Sequence, residues 1–341
     1  LQSKTRYVSI QLGIGGFQPF EASVVDETGY GDCKALSNYM VSLLKAVGIK
    51  AYYALIHAGP DAPEMKTDFV CSQFNHAVVA VPDGADTLWL ECTSQTNPFG
   101  YAGRFTGGRK ALLITESGAR IANTPVYGAG QNLQASNADV VIDLTGNAHA
   151  RVTTAYHGLQ YENGHLNAIV NDQYDEQKKW VLQNTQIPSF DLVSFKVEST
   201  KSKLPTAKVN LELSLNHFAT VSGKRIFLTP NLLNRSAYVP EPLEHRKTNV
   251  FKRFAYTDID TIRYQLPEQI YPEFLPKDVK ITSQFGEYEA TFKVDNGNLT
   301  YTRKVIMNKG KFPPESYQEL IDFYRGISKA DNMKMVFMNK T

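Results

Sequence analysis

Residues 29–36 read Gly29-Tyr30-Gly31-Asp32-Cys33-Lys34-Ala35-Leu36, and this stretch decides the fold of the first part of the chain. Two glycines and an aspartate are typical of a turn. Asp32 is a candidate N-cap, because its carboxylate can accept from helical N–H groups that have no partner. The pattern predicts a helix that opens at Cys33 and ends near Val47-Gly48, since glycine is a natural helix stop. Cys33 shares an inward-facing stripe with apolar residues at helical spacing: Leu36, Met40, Leu43, Leu44 and Val47.

Cys33 lies in the first turn of this helix. A thiol there lies at the positive end of the helix dipole, which favours the thiolate, the reactive form. Taken alone, Cys33 is either a nucleophile or a core cysteine near a helix start. The chain has three cysteines, an odd number that leaves at least one thiol free, which suits a nucleophile better than a disulfide framework.

Two apolar stretches that follow predict a β-hairpin, residues 75–81 and 88–93. If Val81 pairs with Leu88, His76 and Glu91 lie on one face as diagonal neighbours. A slip of one residue would move Glu91 to the opposite face. A carboxylate in so apolar a run needs a partner, and His76 is the nearest candidate.

Cys33, His76 and Glu91 are therefore the candidate catalytic residues. A cysteine nucleophile needs a base that keeps it as thiolate, and an imidazole supplies one. The base needs a third group that fixes its tautomer and stabilises the imidazolium, and a carboxylate supplies that. For the oxyanion, the N–H of Cys33 is one candidate donor, and the side-chain amides of Gln11 and Gln18 are others.

Residues 30–36, 74–77 and 88–93 resemble the three motifs of the transglutaminase-like superfamily of cysteine enzymes. In that family a Gly-Asp/Glu-Cys helix start is followed by a His on a strand and an acid in a Trp-Leu-Asp-like strand. The resemblance implies an α+β fold: a papain-like transglutaminase core, with the Cys-bearing helix packed on an antiparallel sheet, plus a C-terminal mainly-β domain. Glu91 departs from the usual Asp, and its extra methylene changes the reach to the imidazole.

The region after the core carries a second resemblance, to the downstream β-rich part of bacterial envelope proteins. In those proteins the core lies between two domains of unknown function. The resemblance implies a periplasmic or cell-envelope location, and it leads us to expect that an N-terminal β domain and the first helix of the core precede this chain. The stretches that carry it are residues 224–227, 230–233 and 285–288.

A stretch rich in Gly, Asn, Gln, Ala and Ser, residues 123–138, predicts the domain boundary. We expect a transglutaminase-like core over 1–125 and a β-rich domain with a C-terminal helix over 136–341. Within the second domain, Val140–Thr145 is a predicted strand, and Asp295-Asn296-Gly297-Asn298 predicts a hairpin turn. Six prolines between residues 230 and 276 predict loops and edge strands rather than a central strand.

Composition narrows the classes of partner. The net charge of +2 gives no reason to expect a nucleic acid or an anionic membrane surface. No run of 18 apolar residues exists, so no membrane span is predicted. The cysteines and His76 lack Cys-x-x-Cys or His-x-x-x-His spacing, so neither a metal nor another cofactor is expected. Cys71 and Cys92 either form a disulfide or remain two separate thiols.

The resemblance implies a cysteine protease or amidase that acts on a peptide or protein amide through a Cys33 thioester resolved by water. Other functions stay open at this point: an amine-accepting cross-linking enzyme, a deglycosylating amidase, and an inactive binding or scaffold module of the envelope. Tyr53 and Tyr101 either line the cleft or pack in the core. The oligomeric state does not follow from the sequence.

Overall fold

The computed structural model describes residues 1–295 and 297–340 of the chain. The protein is a mixed α and β structure rich in sheet, with 21% helix and 39% strand. The helices are α1 (Ala22–Thr28), α2 (Cys33–Ala46), α3 (Gly103–Thr106), α4 (Leu166–Ile169), α5 (Tyr174–Asn184) and α6 (Tyr317–Asp331). Short 3-10 segments cover Gly13–Gly16, Gly158–His165 and Pro314–Ser316.

The strands are β1 (Arg6–Tyr7), β2 (Tyr30–Gly31), β3 (Tyr52–Ile56), β4 (His76–Asp83), β5 (Asp86–Leu90), β6 (Lys110–Thr115), β7 (Gly118–Asn123), β8 (Leu133–Ile142), β9 (Ala148–His157), β10 (Asp191–Thr200), β11 (Thr206–Leu215), β12 (Thr220–Ser222), β13 (Arg225–Leu228), β14 (Val250–Lys252), β15 (Tyr256–Gln265), β16 (Ile270–Phe274), β17 (Val279–Ser283), β18 (Gly286–Asp295), β19 (Asn298–Met307), β20 (Gly310–Phe312) and β21 (Met335–Asn339).

The chain divides into two compact units. Unit 1 contains Leu1–Tyr127 together with Thr200–Pro205, and unit 2 contains Gly128–Ser199 together with the chain from Thr206 onward. Among the described residues, no helix is both long enough and apolar enough to cross a membrane.

Unit 1 is built on a five-stranded antiparallel sheet in the order β5-β4-β3-β6-β7. Helix α2 packs on one face of this sheet, where Leu36 and Tyr39 meet Val79 and Leu90. Because side chains alternate along a strand, the neighbouring residues of β4 face the opposite side and form a separate apolar cluster around Trp89. The sequence prediction of a Cys-bearing helix on an antiparallel sheet agrees with this arrangement.

The predicted start and end of helix α2 are confirmed. The Asp32 carboxylate accepts the N–H of Ala35 at 3.0 Å as an N-cap, and Gly48 follows the helix with φ of +75°. The predicted inward stripe is wrong at its C-terminal end, since Leu43 is 40% exposed and Val47 is 70% exposed. The fully buried residues of α2 lie in its first two turns. An apolar stripe is buried only where another element covers it.

The predicted hairpin register is confirmed. Val81 pairs with Leu88, and the pairing continues to Val79 and Leu90, where β5 ends. Glu91 is therefore the first residue after the strand. His76 begins β4, at the end of the sheet where the chain leaves β3 and β5 in two long connections, residues 57–75 and 91–109.

Unit 2 is built on an eight-stranded sheet in the order β10-β11-β9-β8-β15-β19-β18-β17, with a second sheet of four strands, β12-β13-β21-β16. Its large core combines one face of the long sheet with Leu320, Phe323 and Ile327 of helix α6. Strands β8 and β15 are parallel neighbours, so the chain returns to the middle of the sheet after a connection of more than 100 residues.

Three predictions for this unit need correction or comment. The strand expected at Val140–Thr145 is β8, Leu133–Ile142, which begins inside the stretch taken as a linker. The prolines between 230 and 276 do not exclude a central strand, because β15 lies between them, contains none, and occupies the middle of the sheet. Strand β16, which carries Pro272, is an edge strand as expected. In the predicted turn of the β18–β19 hairpin, Asn296 lies outside the described residues.

Candidate active site

His76 and Glu91 form a buried hydrogen-bonded pair at the end of β4 and β5. Nε2 of His76 lies 2.8 Å from Oε2 of Glu91, and both side chains are less than 10% exposed. The other carboxylate oxygen, Oε1, accepts from Thr93, from its N–H at 3.0 Å and its hydroxyl at 2.5 Å. Burial disfavours the charged carboxylate, but His76 and Thr93 outweigh it and lower the pKa of Glu91. The carboxylate is an acceptor, so Nε2 of His76 is the donor.

The Cys33 thiol interacts with the same imidazole. Cys33 is half-buried at the first position of α2 and lies close enough to His76 for its sulfur to raise the pKa of the imidazole. Since Nε2 is directed at Glu91, Nδ1 is the ring nitrogen that remains for the sulfur. The structure thus brings all three candidate residues together, although 43 residues separate Cys33 from His76 in the chain.

The environment of His76 favours its protonated form. Burial by itself lowers the pKa of an imidazole, but the hydrogen bonds and charges of Cys33 and Glu91 overcome it and raise the pKa of His76 to about 9. A protonated His76 beside the ionised Glu91 carboxylate is the result.

This shift predicts a pH-dependent stability of unit 1. A histidine that is protonated more readily in the folded state contributes fully below its ordinary pKa of 6.5, and the contribution is lost as pH rises through about 9. We expect the free energy of unfolding of unit 1 to fall by about 3 kcal/mol between pH 6.5 and about 9, since one pKa unit corresponds to about 1.4 kcal/mol. Urea unfolding followed by Trp89 fluorescence in a Trp180→Phe background measures it.

The control for that experiment is His76→Asn, which removes the titrating ring. The pH dependence between 6.5 and 9 should disappear in the variant. A variant that keeps the full dependence would show that another group titrates in this window.

Asp32 and Lys34 fix the surroundings of the helix start. The Asp32 carboxylate caps α2 and also pairs with the Lys34 ammonium, and both side chains are largely buried. Lys34 further donates to the backbone carbonyl of Ile10 at 3.4 Å. The segment that leads into the Gly13–Gly16 turn is therefore tied to the residues on either side of Cys33.

The other residues that the sequence suggested for the cleft lie in three different surroundings. Tyr53 is half-buried beside the site, where burial first, and then the charges of Cys33 and Asp32, raise its pKa. Tyr101 is 1% exposed and belongs to the core. Gln11 and Gln18, suggested as oxyanion donors, are both exposed.

All three cysteines are free, so Cys71 and Cys92 do not form a disulfide. Burial raises the pKa of the Cys92 thiol to about 12, which makes this thiol inert at neutral pH. Cys71 is half-buried in the connection between β3 and β4. In residues 1–295 and 297–340, no group of three or more His, Cys, Asp or Glu side chains is placed to hold a metal ion.

Sequence reasoning missed three residues of this site. Thr93 orients Glu91, Phe105 packs on the His76 ring, and the Arg109 guanidinium bonds backbone carbonyls of the two connections next to the site. The sequence did contain a signal for Thr93, because this residue lies two positions after Glu91 in the same motif. The sequence offers no signal for Phe105 or Arg109, since the ring that Phe105 contacts is distant in sequence and Arg109 bonds backbone carbonyl groups, which every residue has.

Comparisons with known proteins find a domain family and a solved structure that are similar to this chain. Residues 224–337, about a third of the chain, match DUF3858, a domain of unknown function with a solved structure. This region contains all three stretches that carried the second resemblance. A crystal structure of a "putative protease" from Parabacteroides distasonis is similar over 98% of this chain at 13% identity, with a TM-score of 0.46. The chain spans about half of that protein, 49% of its length. No curated protein matches significantly.

Proposed function

We propose that unit 1 is a papain-like cysteine hydrolase of the transglutaminase-like type, which cleaves an amide through a Cys33 thioester. The observation that carries the proposal is the arrangement of three side chains: Glu91 holds Nε2 of His76 at 2.8 Å, and the Cys33 sulfur lies close enough to the same imidazole to raise its pKa. This is the order of nucleophile, base and orienting acid that acyl transfer requires. The resemblance of the three motifs points to the same chemistry.

In the first half of the reaction the Cys33 thiolate attacks the carbonyl carbon of the amide. The N–H of Cys33 lies in the first turn of α2, where backbone donors have no helical acceptor, and it is the candidate donor to the oxyanion. The His76 imidazolium then gives its Nδ1 proton to the leaving nitrogen. The C–N bond breaks, the amine departs, and the acyl group remains on sulfur as a thioester.

In the second half, neutral His76 takes a proton from a water molecule as that water attacks the thioester. The C–S bond breaks, a carboxylic acid leaves, and the thiolate–imidazolium pair is restored. Glu91 stays ionised throughout, since its pKa is lowered, and it stabilises the imidazolium at each stage. Glutamate in place of aspartate suits this site because Glu91 lies beyond the end of β5 and Thr93 fixes its longer side chain.

The test is hydrolysis of a peptide mixture in 18O-labelled water, with mass spectrometry of the products. We expect new labelled carboxyl termini with the unaltered chain and with Cys71→Ser, and none with Cys33→Ser. Cys71 is the matched control because it is the other half-buried thiol of unit 1.

The same experiment with an added primary amine separates the remaining functions. Incorporation of the amine in place of 18O would indicate a cross-linking enzyme rather than a hydrolase. Release of sugar from glycopeptides alone would indicate a deglycosylating amidase. No Cys33-dependent product in any arm would contradict the proposal and leave a binding module. A location in the cell envelope, which follows from the resemblance alone, is part of the proposal.

A further inference from the structure

The two long connections that leave the sheet at the His76 end are joined by one side chain. Arg109 precedes β6, and its guanidinium donates to four backbone carbonyl groups. Nη1 bonds His57 at 2.7 Å and Gly59 at 2.9 Å, in the connection from β3 to β4. Nη2 bonds Arg104 and Nε bonds Gly107, both at 3.2 Å, in the connection from β5 to β6.

Helix α3 lies inside the second of these connections and places Phe105 on the imidazole. The rings of Phe105 and His76 are 5.0 Å apart between centroids and meet edge to face at 64°. The Phe105 carbonyl also accepts the N–H of Gly59 at 2.9 Å, so the same two connections are bonded next to the ring. Gly107 has to be a glycine here, since a Cβ would lie 2.4 Å from the carbonyl oxygen of Gly103.

An aromatic ring packed on the imidazole keeps water from the part of the imidazole that it covers, next to the His76–Glu91 hydrogen bond. A hydrogen bond is stronger where water is excluded, because the local dielectric is lower. Phe105 is still 46% exposed, so it forms the outer boundary of the pair rather than part of a distant core.

We propose that Arg109 is a positioning residue of the site, which joins the two connections and thereby holds Phe105 on the His76 ring as a shield for the His76–Glu91 hydrogen bond. The importance of this shield for catalysis rests on the proposed function, but its existence does not. A lysine cannot replace Arg109, because one ammonium has three donors around a single nitrogen and lacks the planar spread of a guanidinium.

The test measures exchange of the His76 Nε2 proton with water by 1H–15N NMR on the full chain, with the signal assigned from His76→Asn. Relative to the unaltered chain, we expect exchange about tenfold faster in Phe105→Ala and several-fold faster in Arg109→Lys. Phe105→Tyr, which keeps the ring, should restore slow exchange.

Two variants are matched controls. Phe99→Ala removes an aromatic ring that is 68% exposed on the same connection, and Arg120→Lys changes an exposed arginine of the same sheet. Both should leave the exchange unchanged. Trp89 fluorescence reports whether each variant is folded. A purely structural role would change the free energy of unfolding without changing the exchange rate of the His76 Nε2 proton in the folded form.

Unchanged exchange in folded Phe105→Ala and Arg109→Lys would overturn the inference, even if Cys33-dependent hydrolysis is observed. Faster exchange in both variants supports it, even if the chain hydrolyses no peptide. The two proposals therefore fail separately.

Discussion

His76→Asn is expected to slow the alkylation of Cys33 by iodoacetamide at about pH 5.5 by about 100-fold. An isolated thiol has a pKa of about 8.5, so only about one in a thousand is thiolate at that pH. In the proposed mechanism the positive charge of the His76 imidazolium favours the thiolate form of the neighbouring sulfur. A thiolate stabilised in this way is a weaker nucleophile, so about tenfold of the roughly thousandfold increase in thiolate is offset and about 100-fold in rate remains.

The shape of the pH profile is the sharper part of this prediction. Alkylation of His76→Asn should fall about tenfold for each pH unit below about 8, as for a free thiol, whereas the unaltered chain should keep its rate to lower pH. The Cys71→Ala background leaves Cys33 as the reactive thiol, because Cys92 is buried and its pKa is about 12. The denatured chain supplies the reference rate.

Glu91→Gln gives a graded comparison. Its amide oxygen can still accept from Nε2 of His76, but the negative charge that favours the imidazolium is lost. We expect the alkylation of Cys33 in Glu91→Gln at about pH 5.5 to be about tenfold slower than in the unaltered chain, a rate between those of the unaltered chain and His76→Asn. If the profiles of all three proteins coincide, the imidazole is not the partner of the thiol and the enzyme proposal has no chemical basis.

Asp331→Ala is expected to destabilise unit 2 by about 3–5 kcal/mol, the cost of leaving a buried charge without its partner. Arg303 is 5% exposed, and its guanidinium holds Asp331 at 2.8 and 3.1 Å and Asp260 at 3.1 Å. The Asp331 carboxylate also accepts from the hydroxyl of Tyr288 at 2.8 Å and the N–H of Ser236 at 3.0 Å. The alanine variant leaves donors from three different parts of the chain unsatisfied.

Charge balance strengthens this expectation. Burial disfavours a charged arginine, but Asp331 and Asp260 overcome it and raise the pKa of Arg303, so the guanidinium stays charged in the core. With Asp331 removed, only Asp260 remains within ion-pair distance of Arg303 among the described residues.

Asp322→Ala is the matched control, because it removes an aspartate from the same helix α6 whose ion pair with Arg325 is exposed. An exposed pair contributes about 0–1 kcal/mol, so this variant should be nearly neutral. Urea unfolding followed by Trp180 fluorescence in a Trp89→Phe background reports on unit 2. A loss in Asp331→Ala no larger than in Asp322→Ala would show that the buried pair contributes little.

Local chemistry accounts for what the sequence predicted well. The start of α2 follows from the Asp32 cap, its end from Gly48, and the register of the β4–β5 hairpin from alternation and a short connection. Each of these depends on residues close together in the chain. The error of this reasoning is also local: Leu43 and Val47 follow the helical period, but within the described part of the chain they stay exposed.

By itself, then, the sequence determined the capped helix with Cys33 at its start, and the hairpin that places His76 beside Glu91. The tertiary structure alone decided which aromatic ring packs on the imidazole and which carboxylates surround Arg303. The physical reason is the nature of the partners. Arg109 bonds backbone carbonyl groups, which every residue has, and β15 enters the middle of its sheet by pairing with a strand more than 100 residues earlier. No pattern of neighbouring side chains records contacts of either kind.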